Sequence, residues 1–60
     1  MRTFTCLLTD SRYSVPTLSF ILAADADRAR ALAQRELHAS AYHRAYELHD
    51  DQRLVCAETR

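Results

Sequence analysis

A two-layer α+β sandwich is the fold class this sequence predicts: four antiparallel strands in sheet order 2-1-3-4, with one helix on one face. Three observations carry that prediction. Residues 2–9 and the stretch "TLSFILA" alternate apolar and polar positions with a period of two. The segment "ADADRARALAQRELHAS" switches to helical spacing. The segment "YELHDDQRLVCAE" returns to alternation around a polar turn, as a β-hairpin does. The element order is β-β-α-β-β, and residues 1–60 form a single domain.

In the first strand, Phe4, Cys6 and Leu8 share one face, while Thr3, Thr5, Leu7 and Thr9 share the other. "DSRYS" supplies turn residues of the Asp/Ser kind. Leu18, Phe20 and Leu22 then line one side of the second strand, opposite Thr17, Ser19 and Ile21. Pro16 cannot donate to a ladder, which puts it at the start of that strand or on an open edge. Pairing Phe4 with Leu22 and Cys6 with Phe20 would gather all six large or thiol side chains on one face.

The helix is the clearest element. Asp25 is its expected N-cap, and Asp27 adds negative charge to the first turn, where the helix dipole favours it. Ala29, Leu32, Ala33, Leu37 and Ser40 recur at three- and four-residue spacing and form a thin buried stripe. Alanine is also the best helix former, so propensity and pattern agree. Alanines in the stripe require the helix to sit close to its sheet. The helix is expected to end at Ser40 or Ala41, without a glycine cap.

For the closing hairpin, a loop of Asp50 to Gln52 pairs Leu48 with Leu54, Tyr46 with Cys56 and Arg44 with Glu58, and so keeps one face apolar. Such a loop asks for a left-handed residue before the second strand, here Gln52. The third strand runs antiparallel to the first, and a right-handed crossover places it beside that strand. The helix then covers Phe4, Cys6, Leu8, Leu18, Phe20, Leu22, Tyr46, Leu48, Leu54 and Cys56.

This order of elements, with its N-terminal hairpin, Ala/Arg-rich helix and closing "YELHDDQRLV" hairpin, resembles a loose group of short bacterial proteins without an assigned activity. The resemblance covers almost the whole chain. It implies a fold and carries over no functional residue. The chain departs from the usual pattern in having no Gly in the last turn.

Composition narrows the function classes. Eight basic residues, all Arg, balance eight acids, so no net field draws the chain to nucleic acid or an anionic membrane. The Ala- and Arg-rich, Lys-free composition is that of a GC-rich, bacterial coding sequence, and it excludes a Schiff-base lysine. Arg2 and Arg12 before "PTLSFILA", with "ADA" at 24–26, mimic a secretory signal, but Asp10, Ser11 and Arg12 interrupt it. No stretch approaches the ~20 apolar residues of a membrane span, so a cytoplasmic location is expected. Two cysteines at opposite ends, Cys6 and Cys56, are expected to be buried free thiols rather than a disulfide framework.

Catalytic and metal chemistry find little footing. His43 and His49 share strand parity but stand about 20 Å apart along a strand, and no Cys-x-x-Cys or His-x-x-x-His spacing occurs. His38, His43 and His49 are expected to be exposed, and no metal or cofactor is expected. Cysteines on a core face are inert, and Asp50 and Asp51 are ordinary turn residues, so no enzyme activity is expected. The face of the sheet turned away from the helix is the more informative surface. On the expected register Thr5, Leu7, Ser19, Ile21 and Val55 line it, a semi-apolar patch of the kind that marks a partner site. A chain of this size buries only about 60% of its unfolded surface, which favours association. The expectation is a small non-catalytic protein-interaction module, homodimeric or bound to another protein. The alternative is a nucleic-acid or small-ligand binder using Arg28, Arg35 and the open sheet face.

Overall fold

A computed structural model describes all 60 residues. The chain runs β1 (Arg2–Asp10), β2 (Thr17–Ala23), α1 (Ala26–His38), β3 (His43–Asp50) and β4 (Arg53–Thr59). The strands form one antiparallel sheet in the order β2-β1-β3-β4, and the helix packs on one face of it. Element order, topology and layering are those predicted.

The core lies between α1 and the middle of the sheet. Phe4, Cys6 and Leu8 from β1 meet Tyr46 and Leu48 from β3, and all five are buried. Above them sit Ala29, Ala33 and Leu37, at helical spacing of four. Two small alanines in the seam allow the helix axis to approach the sheet, as the thin stripe required. Asp25 caps the helix, its carboxylate accepting the Arg28 N–H at 2.9 Å. The helix ends at His38 with Ala39 as a right-handed C-cap, two residues short of Ser40.

The register of β2 corrects the expected one by a single residue. Phe4 pairs with Ile21 and Cys6 with Ser19, not with Leu22 and Phe20. Because side chains alternate strictly, that shift turns the whole strand over. Thr17, Ser19 and Ile21 face the helix, and Leu18, Phe20 and Leu22 face away from it. The physical reason is the short connection into α1. Only Ala24 and Asp25 separate Ala23 from the helix, so the chain must turn toward the helix layer at Ala23, which is buried. Once odd-numbered Ala23 points inward, every odd position of β2 does.

The closing hairpin is corrected as well. Asp50 pairs with Arg53, leaving a two-residue loop of Asp51 and Gln52. The left-handed residue is Asp51, at φ 56°, rather than Gln52. Aspartate tolerates this region better than most non-glycine residues. His49 then pairs with Leu54, and a bulge follows, so that Leu48 pairs with Cys56 and Tyr46 with Glu58. The extra residue, Val55, restores inward parity for Cys56 while leaving Leu54 on the outer face. Leu54 is therefore exposed, and so are Leu18, Phe20 and Leu22, all four of which were expected in the core.

Candidate functional site

Three places on the molecule gather chemistry or unusual surface: a polar cluster at one end of the central strands, a groove beside β2, and the outer face of the sheet.

The polar cluster forms where β1 ends. Asp10 is almost fully buried, and Arg12 clamps it with two side-chain bonds, Nε to Oδ1 at 3.0 Å and Nη2 to Oδ2 at 2.7 Å. The Arg12 backbone N–H adds a third bond, to Oδ1, at 2.9 Å. The same guanidinium lies over the rings of Tyr42, at 4.4 Å, and Tyr13, at 5.4 Å. The bonds from Arg12 outweigh the cost of burial and hold the Asp10 carboxyl at about 2. The bonded carboxylate in turn pushes the Arg12 guanidinium up from its ordinary value.

His43 completes this cluster. The ring is buried, not exposed as the sequence suggested, because a register shift between Thr9 and Asp10 brings it opposite Asp10. Its Nδ1 stands 2.6 Å from the Glu36 carbonyl, so Nδ1–H donates there, and Nε2 lies 3.8 Å from Asp10 Oδ2. A carboxylate so acidic, with its lone pairs committed to Arg12, makes no general base near neutral pH. The cluster ties the β1 end, the following loop, the helix C-terminus and the β3 start together. That is a structural task.

Both cysteines are free; Cys6 is buried and Cys56 half-buried. Burial pushes the Cys6 thiol up from its ordinary value, which disfavours the thiolate that a nucleophile or metal ligand needs. Cys56 lies 3.9 Å from the Tyr46 hydroxyl, which donates to Glu58 Oε1 at 2.9 Å. Gln34 donates to the same oxygen, and together these bonds hold Glu58 below the usual carboxylate range. The Tyr46 hydroxyl itself is pushed well up, first by burial and then by Glu58 beside it. No group of three His, Cys, Asp or Glu side chains is placed to hold a metal ion.

A shallow groove of about 560 Å³ runs between β2 and α1. Cys6, Ser19 and Ile21 line it from the sheet, with Phe20 and Leu22 at its open β2 edge, and Leu32, Arg35 and Glu36 line it from the helix. Its rim carries one charge of each sign, which makes it unselective for anions. Arg28, the other arginine proposed for ligand binding, does not line it.

The outer face has no second layer. Thr5 and Leu7 lie on it, as expected. Ser19 and Ile21 do not: the β2 register puts them on the helix side, where Ile21 packs against the core. Val55, at the β4 bulge, also packs against the core. In their place stand Leu18, Phe20 and Leu22, with 57%, 68% and 63% of their surface exposed. They occupy alternate positions of an edge strand, next to half-buried Leu7. The other half of this face is polar. Glu47 and His49 bond side chain to side chain at 3.0 Å. The apolar strip was hidden from sequence reasoning because its alternation is identical to that of a buried strand. The signal that could have revealed it was Ala23, whose place two residues before the N-cap fixes the parity.

No helix is long and apolar enough to cross a membrane. Comparison with family models, with curated proteins and with solved structures finds no match to this chain.

Proposed function

We propose that this chain is a small non-catalytic protein-interaction module that works as a homodimer, with the strip Leu18–Phe20–Leu22 as its contact surface. One observation carries the reading. Three large apolar side chains stand side by side in water on an edge strand, although the same strand offers inward positions to polar Thr17 and Ser19. Fully burying such a side chain is worth about 1.5–3 kcal/mol, and more than half of each stands in water, so leaving three exposed is a substantial cost for a free monomer. The mixed charges of Arg35 and Glu36 at the adjacent groove favour a protein surface over a polyanion as its neighbour.

Light scattering and sedimentation equilibrium test this directly. The chain is expected to be dimeric at tens to hundreds of micromolar, and Phe20→Lys is expected to shift it to monomer while keeping the fold by circular dichroism. A wild-type chain that stays monomeric at high micromolar concentration refutes the homodimer.

A further inference from the structure

The open edge of β2 has a donor and acceptor pattern that follows from the sheet. Arg60 N–H donates to the Arg44 carbonyl at 2.7 Å, so the Arg44 backbone faces β4. Backbone groups alternate sides along a strand. Ala45, Glu47 and His49 therefore turn toward β1, where Thr9, Leu7 and Thr5 answer them. Phe4, Cys6 and Leu8 then bond β2 through Ile21, Ser19 and Thr17. The N–H and C=O groups left pointing outward from β2 are those of Leu18, Phe20 and Leu22. Pro16 shares their parity, so its missing N–H takes nothing from β1 and ends the free edge.

We infer that two copies of this chain pair their β2 strands antiparallel, about a two-fold axis at Phe20, to make one continuous eight-stranded sheet. This deepens the proposed homodimer and rests on it. The strand Thr17–Ala23 is centred on Phe20. In that register Phe20 meets its own copy, Leu18 meets Leu22 of the second copy, and all outward N–H and C=O groups of both strands find partners. The three exposed side chains form apolar cross-strand pairs on the outer face. On the inner face Ser19 and Ile21 meet across the axis, and the two grooves merge between the two helices. Arg35 and Glu36 line each groove.

Other modes fit less well. The second edge, β4, is guarded: it carries Arg53 and Glu58, contains a bulge, and is followed by Arg60, whose guanidinium is bonded to the Ser40 carbonyl at 2.6 Å. By contrast β2 is free of charge, bulge and internal proline, the features that guard an edge. A face-to-face sandwich of two sheets would bury the Glu47–His49 pair, at a desolvation cost that the edge mode avoids. A specific interface needs at least about 600 Å² from each partner, roughly a seventh of this molecule's 4220 Å². The expected dimer is weak and forms in the micromolar range.

Amide hydrogen exchange, followed by NMR on the full chain across a dilution series, reads this geometry. Protection at the Leu18, Phe20 and Leu22 amides is expected to rise with concentration, because edge pairing alone bonds those three N–H groups. Two variants accompany it. Phe20→Lys places like charges opposite each other and is expected to weaken the dimer by about tenfold or more. Ala57→Lys, on the outer face of the far strand, is expected to leave it within about twofold. A dimer whose three amides exchange freely at every concentration, or one that Ala57→Lys breaks as readily, overturns the edge geometry and leaves the homodimer standing. A monomer at every concentration overturns both.

Discussion

Asp10 shows at the level of one residue how the fold sets a charge. Its carboxyl titrates at about 2 instead of 3.8, chiefly because Arg12 bonds it. The unfolded chain therefore takes up that proton first as pH falls. The stability Asp10 contributes is present above about pH 4 and is lost as pH drops toward 2. Glu58, also held low, acts in the same direction. Replacement Asp10→Asn is expected to flatten the fall in stability between pH 4 and 2 without abolishing it, as read from thermal melts across that range. Parallel curves for the two proteins would place the acid sensitivity elsewhere. Little of this was legible in the sequence: Asp10 and Arg12 are two turn residues among several, and no pattern marks that they bond each other or that a register shift brings His43 opposite Asp10.

At the level of the elements, α1 and β2 show where pattern reading succeeds and where it stops. The helix was readable because its cap, its first-turn acid and its buried stripe are all local. Asp25, Asp27, Ala29, Ala33 and Leu37 each do what their position predicts. The close approach of helix and sheet has a testable consequence. Ala33→Leu adds volume where none is free and is expected to cost about 1–3 kcal/mol in urea denaturation. The same change at Ala31, outside the fully buried stripe, is expected to cost less. For β2 the alternation was read correctly and its direction was not. Hydrophobic periodicity gives the two faces of a strand, but which face turns inward depends on its partners and on the link to the next element.

At the scale of the whole molecule, one helix covers one face of a four-stranded sheet, and nothing in the chain covers the other. Helix contacts concentrate on β3 and β2, while the strip on the reverse of β2 stays in water. Association that occurs only in the folded state adds to stability by mass action. The thermal midpoint is therefore expected to rise by several degrees between about 5 and 500 μM chain. In the Phe20→Lys variant it is expected to stay constant. A concentration-independent midpoint for the wild-type chain would count against self-association. Part of the candidate surface was legible: Thr5 and Leu7 lie on the open face as read. Ser19, Ile21 and Val55 do not, because one register and one bulge moved them.

The amino-acid order alone determined the number and sequence of elements, the helix cap, the inward face of the two central strands and the topology of the sheet. These follow from local propensity, from periodicity and from chain connectivity, which act within a few residues or restrict how neighbours can join. Only the tertiary structure decided that Leu18, Phe20 and Leu22 face water, that Leu54 joins them, and that His43 is buried beside Asp10. Each of those outcomes depends on a single-residue choice of pairing between strands far apart in sequence. Such a choice is settled by the competition among whole packed arrangements, and no local pattern records the winner.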